Sequence, residues 1–162
     1  MSVTIDITVE AAAWKKLAEA EAVVRRAIET ALADVGMSEG ETGVVLCDDA
    51  RMRELNHTWR GKDQPTNVLS FPVKASGDTS TRHFGDIVIA YETLIREAEA
   101  EGKTAEAHLC HLAVHGVLHL LGFDHENDSD ADAMENRERK ILTRLGIADP
   151  YASDEHMERE HV

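Results

Sequence analysis

The 162-residue chain has 43% hydrophobic and 30% charged residues, a balance that indicates a globular protein and excludes a disordered one. No apolar run approaches membrane-spanning length, and the N-terminus lacks the continuous apolar core of a signal peptide. We therefore expect a cytoplasmic protein with no membrane partner. Cys47 and Cys110 form no paired motif, so we expect both to be buried in the core.

The net charge of −14 disfavours general binding to nucleic acid, because phosphate contacts need Lys and Arg. The charge is unevenly distributed, however. Residues 51–82 carry six basic and three acidic side chains, so this segment is +3 and the remainder is −17. A basic surface on an acidic body can bind a specific RNA, although a solvated loop explains the same charges equally well.

Strands are predicted where apolar residues alternate or run together, at residues 3–9, 42–46, 68–73 and 87–90. Pro72 indicates an edge position or a bulge in the third of these strands. Helices are predicted where apolar residues recur every three or four positions: residues 18–35, a segment capped by Asp48 or Asp49, residues 92–101, a segment starting at Thr104, and residues 131–145.

These elements alternate without a strict βαβ rhythm, which predicts an α+β fold with a small mixed β-sheet packed with several helices. The length suits one domain, which we place at residues 1–147. Residues 148–162 contain few apolar side chains, so we expect them to form a flexible tail.

Three histidines at the end of the fourth predicted helix indicate a metal site. His115 and His119 are four residues apart, so on a helix they lie one turn apart on the same face. Gly122 can reverse the chain and bring His125 back as a third ligand. Three imidazoles with an open fourth position are typical of catalytic zinc. The alternative is that these are satisfied histidines on an amphipathic helix.

A zinc ion held by three neutral ligands keeps its full charge, which favours hydrolysis of an ester, amide or phosphodiester. The same histidine spacing occurs in metzincin peptidases, where a glutamate follows the first histidine as general base. Gly116 occupies that position here. Its lack of a carboxylate disfavours peptide hydrolysis and is less damaging for RNA, which has its own 2′-hydroxyl beside the phosphate.

Several linked motifs accompany the histidines, spread over roughly residues 50–140. They are Leu55-Asn56, Trp59-Arg60-Gly61-Lys62, the run from Pro65 to Pro72, Gly85-Asp86-Ile87, and the run from His115 to His125. With these motifs in this order, the chain resembles the YbeY family of bacterial endoribonucleases.

The resemblance implies an α+β fold with a metalloprotease (zincin)-like core and a zinc-dependent, single-strand-specific endoribonuclease. The implied partners are ribosomal RNA precursors and the ribosome, with roles in small-subunit 3′-end maturation and ribosome quality control. It assigns zinc binding to His115, His119 and His125, and a functionally required arginine to Arg60. One departure is Asn67, where the family usually has Asp.

The residues themselves support Arg60 less strongly, since a guanidinium suits phosphate but is also common in surface ion pairs. Asp124 is either an acceptor that orients a ligand imidazole or a turn residue, and His111 either lines the cleft or lies in the core. Ser70 and Asp86 are either binding groups at strand ends or turn and capping residues. Together with Lys62, these four residues are the candidate substrate-binding or supporting residues: Lys62, Ser70, Asp86, His111 and Asp124.

Two other functions fit parts of the pattern. One is a metzincin-like metallopeptidase, which the histidine spacing favours and Gly116 disfavours. The other is a non-enzymatic, ribosome-associated protein whose zinc is structural.

Overall fold

In the computed structural model, which describes residues 2–73, 83–123 and 128–147, four strands form one mixed sheet. The order is β1-β2-β4-β3, with β1 parallel to β2, β2 parallel to β4, and β3 antiparallel to β4. The strands are β1 (Ser2–Val9), β2 (Glu39–Cys47), β3 (Val68–Pro72) and β4 (His83–Ala90). β3 is an edge strand, which explains how Pro72 is tolerated within it.

The described ranges contain five helices, which are α1 (Ala20–Asp34), α2 (Asp49–Arg60), α3 (Tyr91–Glu101), α4 (Ala105–Leu120) and α5 (Asp128–Arg144). Of these, α1 to α4 contact this sheet and α5 packs on α1 and α4, so the predicted α+β class with a small mixed sheet is confirmed. A short 3-10 turn at Ala12–Lys16 places Trp14 in the core.

Two helix starts follow the predicted caps. The Asp48 carboxylate accepts from the backbone N–H of Arg51 at 2.9 Å, and the Thr104 hydroxyl accepts from that of Ala107 at 3.1 Å. Asp49, the alternative cap, instead accepts from the Thr93 hydroxyl at 2.7 Å and so joins α2 to α3.

Three elements begin three or more residues before their predicted start. β2 begins at Glu39 and β4 at His83, because pairing between these strands orders polar residues that have no apolar periodicity. α5 begins at Asp128 and not at residue 131, since acidic residues in a first turn interact favourably with the helix dipole.

The core lies on both faces of the sheet. The larger cluster joins the sheet to α1, α4 and α5, and the smaller one places Met52 of α2 against Leu69 and Val88. Both cysteines are buried, as predicted, and burial raises the pKa of the Cys110 thiol to about 11. No helix within the described ranges is long and apolar enough to cross a membrane. The predicted tail, residues 148–162, lies outside them.

Candidate active site

A cleft of about 540 Å³ opens between the edge strand β3 and the C-terminal half of α4. The polypeptide after α2 forms its rim. The cleft is lined by Arg60, Thr66, Asn67, Val68, Leu69, Ser70, Pro72, His115, His119, Gly122 and Phe123. It therefore unites the first two predicted zinc ligands with the predicted arginine.

α4 presents His115 and His119 on one face, with their Nε2 atoms 3.1 Å apart. The helix ends where predicted: Gly122 has φ +99°, and the N–H of Phe123 donates to the carbonyl of Leu118 at 3.0 Å. This reversal follows directly after the two histidines. The third predicted ligand, His125, and the candidate Asp124 lie outside the described residues.

Glu138 of α5 lies behind the two histidines, although nothing in the sequence analysis selected it. The residue is 0% exposed, and its Oε1 contacts Nδ1 of His115. Its Oε2 lies 3.5 Å from Nε2 of His111, one turn earlier on α4. One buried carboxylate thus contacts two histidines of the neighbouring helix.

The ionisation of Glu138 determines which nitrogen of His115 carries the proton. Burial opposes ionisation, but interactions with His111 and His115 outweigh it and lower the pKa of Glu138 to about 2. At neutral pH the carboxylate can only accept, so Nδ1 of His115 donates to it. Nε2 is then the nitrogen left to bind a ligand in the cleft, as in carboxylate–histidine–zinc arrangements.

His115 and His119 fit a zinc ion. Two nitrogens bound to one tetrahedral zinc at about 2.0–2.1 Å each lie roughly 3.3 Å apart, close to the 3.1 Å observed between the Nε2 atoms. The described ranges contain no group of three His, Cys, Asp or Glu side chains able to hold a metal. A third protein ligand would therefore lie outside the described ranges, as the predicted ligand His125 does.

Arg60 brings a positive charge to the same cleft. It is the last residue of α2, is exposed, and forms no ion pair with any residue in the described ranges. Two other arginines of α2 are already neutralised: Arg51 contacts Glu54 at 3.3 Å, and Arg53 contacts Asp63 at 2.8 Å. The guanidinium of Arg60 is therefore available to an anion that enters the cleft.

Ser70 and Asn67 hold the wall of the cleft in place. The Ser70 hydroxyl donates to the carbonyl of Gly116 at 2.9 Å, which ties β3 to α4. The Asn67 amide donates to Glu97 at 3.0 Å, and the same carboxylate oxygen contacts Nε2 of buried His108 at 2.8 Å. Asn67 suits this position because an aspartate there would face Glu97 with a like charge.

Gly116 lies against the sheet. A Cβ atom at this position would come 2.9 Å from Cγ2 of Ile87 on β4, which is closer than side chains tolerate. The glycine therefore allows α4 to approach the sheet closely. A glutamate at residue 116 would disturb this packing.

The structure separates the remaining candidates. His111 contacts Glu138 and lines a smaller cavity of about 210 Å³ beside the main cleft. Lys62 is exposed and does not line either cavity. Asp86 does not reach the cleft either: its neighbour Ile87 faces α4, so by strand alternation Asp86 faces the opposite side of the sheet, where it lies 3.7 Å from His83.

Comparison with known proteins bears on the family and the fold of the chain. The family model described as endoribonuclease YbeY matches residues 6–146. The chain belongs to the YbeY family. A protein named endoribonuclease YbeY from Rhodopseudomonas palustris (strain BisA53) is 51% identical, and the match covers 97% of this chain and 95% of that protein. One of the same name from Nitrobacter hamburgensis is 52% identical, with coverage of 94% and 84%.

A solved structure supports the fold of this YbeY family member. The solution structure of a Thermotoga maritima protein matches with a TM-score of 0.52 and 24% sequence identity, covering 90% of this chain and 97% of that one. The resemblance drawn from the sequence motifs is thus confirmed at the level of family and fold.

Proposed function

We propose that this YbeY family member is a zinc-dependent endoribonuclease that cleaves single-stranded ribosomal RNA precursors. The observation that supports it best is the meeting in one cleft of His115 and His119, whose Nε2 atoms are spaced for one ion, with Arg60, which has no ion-pair partner in the described part of the chain. The names of the relatives favour RNA as the substrate.

The residues of the chain have distinct roles in this proposal. His115, His119 and His125 hold the zinc ion, while Glu138 accepts from His115 and fixes the orientation of its ring. A zinc ion bound by these residues would supply Lewis-acid chemistry toward a phosphoryl oxygen. Arg60 binds the phosphate and stabilises the negative charge that develops on it.

The walls and the charges of the cleft determine how RNA would bind in it. Ser70 fixes the distance between β3 and α4, so the cleft has one strand wall and one helix wall. The acidic body of the protein repels polyanions, and Arg60, which forms no ion pair among the described residues, attracts the phosphate of a locally bound strand. Binding is therefore expected to weaken as the salt concentration rises.

Cleavage of an unstructured precursor RNA tests the proposal. Arg60→Gln is expected to reduce the rate about 100- to 1,000-fold, as removal of a group that stabilises developing charge does in other enzymes. His115→Ala is expected to abolish both zinc binding and cleavage. Arg51→Gln is the matched control, because Arg51 is an exposed arginine on the same helix that is paired with Glu54.

Product gels and zinc content measured on the same preparations give the readout. Equal cleavage by the parent, Arg60→Gln and His115→Ala would indicate a contaminating nuclease and refute the assignment. Turnover of a peptide library without RNA cleavage would instead support the metallopeptidase. Ribosome binding without any RNA product would support the non-enzymatic protein.

We further propose that this activity serves small-subunit 3′-end maturation and ribosome quality control in the cytoplasm, in contact with the ribosome. Cells that carry Arg60→Glu as their only copy should accumulate unprocessed small-subunit RNA ends and degrade defective ribosomes more slowly. A 3′-end map and the half-life of ribosomal RNA under stress measure these effects separately. A normal map would separate the cleft from this substrate.

A further inference from the structure

Trp59 is the most exposed large apolar side chain in the described ranges, with a relative exposure of 67%. The other tryptophan, Trp14, is 2% exposed, and its indole N–H donates to the carbonyl of Cys47 at 2.8 Å. Single exposed apolar residues are common on protein surfaces. The surroundings of Trp59 distinguish it from them.

Trp59 is held in place by an aromatic neighbour. Its ring meets the Phe71 ring edge-on, with centroids 6.0 Å apart and planes inclined at 69°. This contact restrains the indole while most of its surface stays open to solvent. A restrained aromatic ring loses little conformational entropy when a flat ligand stacks on it.

The position of Trp59 connects it to the cleft. It directly precedes Arg60 in the last turn of α2. Phe71 packs with the smaller core cluster on the α2 side of the sheet, whereas its strand neighbours Ser70 and Pro72 line the cleft on the other side. Trp59 thus lies beside the edge strand β3, on the face of the sheet opposite the cleft. The adjacent residue Arg60 lines the cleft itself.

The charges beside Trp59 favour a polyanion. Arg60 and Lys62 are both exposed, and neither forms an ion pair with an acidic residue that the structure describes. The nearby acid Asp63 is bound by Arg53 through two hydrogen bonds, at 2.8 and 3.0 Å. An aromatic ring flanked by unpaired cations is the combination that proteins use to bind single-stranded nucleic acid.

We propose that Trp59 is a stacking platform for one base of a single-stranded RNA whose adjacent phosphate is bound by Arg60. This inference rests on the proposed function and adds a binding subsite outside the cleft. Stacking on a side chain requires an unpaired base, so the subsite binds single strands and excludes duplex RNA. Because every base has a π-face, the subsite tolerates different sequences.

Intrinsic fluorescence tests the stacking directly. An unstructured RNA of about eight nucleotides should quench the emission of exposed Trp59, and the same RNA annealed to its complement should not. Trp59→Phe is the optical control, since Trp14 is then the remaining tryptophan and its buried ring should not respond. Quenching that persists in Trp59→Phe would contradict the proposal.

Binding affinity gives the second measurement. Trp59→Ala should weaken binding of the single-stranded RNA about 5- to 100-fold, Trp59→Phe should weaken it less, and duplex RNA should show no difference. Val9→Ala is the matched control because Val9 is an exposed apolar residue on β1, at the opposite edge of the sheet. Circular dichroism verifies that each variant is folded.

The salt dependence separates stacking from charge. Trp59→Ala should leave the slope of log K against log salt unchanged, whereas Arg60→Gln should make it shallower by about one phosphate contact. Equal affinity of parent and Trp59→Ala would overturn the proposal. So would a loss of self-association in Trp59→Ala with RNA affinity unchanged, since the ring would then be a protein contact.

These outcomes are distinct from failure of the proposed function. A parent that cleaves RNA while Trp59→Ala binds it normally refutes the stacking subsite alone. A parent that does not bind single-stranded RNA refutes both.

Discussion

Two buried carboxylates hold α5 against the rest of the protein, and they differ in the cations that face them. The side chain of Asp34, at the end of α1, is 1% exposed and accepts from Arg137 at 2.9 Å and Arg144 at 3.1 Å. Glu138, equally buried, contacts His115 and His111 of α4. The first joins α5 to α1, and the second joins it to α4.

Arginine and histidine differ in whether a nitrogen that does not contact the carboxylate can bind a metal. A guanidinium has no lone pair to offer a metal, so the arginines around Asp34 can only neutralise and hold the helix. An imidazole that donates from Nδ1 still has Nε2 for a ligand. The same packing arrangement is therefore structural at Asp34, whereas at Glu138 it orients a predicted metal ligand.

Asp34→Ala should have the largest effect on stability, about 2–3 kcal/mol, because it removes the charge-assisted hydrogen bonds that Arg137 and Arg144 donate to a buried carboxylate. Asp34 also ends a helix, where the dipole disfavours a carboxylate, so these cations are needed to stabilise it. Urea unfolding at neutral pH measures the loss. Asp132→Ala, which removes an exposed carboxylate from α5, is the control and should change stability little.

The effect at Asp34 should depend on pH. Burial opposes ionisation, but hydrogen bonds from Arg137 and Arg144 hold the pKa of Asp34 below its usual value of 3.8. A lowered pKa in the folded state means that the stabilisation is complete above pH 3.8 and is lost as the pH falls through the folded value. The stability difference between parent and variant should shrink there. A difference that stays constant to acid pH would contradict the ionic account.

Glu138→Gln should change metal binding more than folding. The amide keeps the size of the side chain and one acceptor but loses the charge, so zinc affinity should fall about 10- to 100-fold. Competition with a chromophoric chelator measures this at fixed pH. Folded Asp34→Ala should bind zinc as tightly as the parent, and equal affinity in Glu138→Gln would show that Glu138 does not support the site.

The sequence predicted the helix of the histidines well because its signals are local. Thr104 and Gly122 mark its ends by capping chemistry, and His115 and His119 share a face by spacing alone. The signal for Arg60 is less local, because its place in the cleft depends on where α2 ends relative to β3. Its role was predicted mainly from the family resemblance.

Glu138 was missed although its signal is in the sequence. On α5 and just beyond it, Met134, Ile141, Leu142 and Leu145 form the buried face, and Glu138 falls on that face. A charge on an apolar helix face indicates a buried partner, but nothing local names the partner. Likewise, the place of Asp86 on the far side of the sheet follows from strand pairing between residues distant in sequence.

Gly116→Ala tests whether the arrangement of His115 and Glu138 depends on how closely α4 lies against the sheet. The added methyl group would overlap Cγ2 of Ile87, so a loss of about 1–2 kcal/mol is expected, with weaker zinc binding as His115 moves relative to Glu138. Thermal unfolding and chelator competition measure the two effects. The double variant Gly116→Ala/Ile87→Ala should lose less stability than the two single losses together, since each substitution relieves the other. Additive losses would rule out the proposed contact.

Asn67→Asp extends the comparison to a carboxylate that is partly open to water, and it should have the smallest effect. The new carboxylate would face Glu97, which is 34% exposed, so solvent screening limits the cost to about 1 kcal/mol or less. Salt screens the repulsion between two partly exposed carboxylates, so the loss should diminish as the ionic strength rises. Unfolding measured across salt concentrations, with Asp132→Asn as a control for a surface charge change, tests this. A loss as large as that in Asp34→Ala would mean that water does not screen this pair. Solvent exposure would then not explain why substitutions at different carboxylates of this protein change its stability by different amounts.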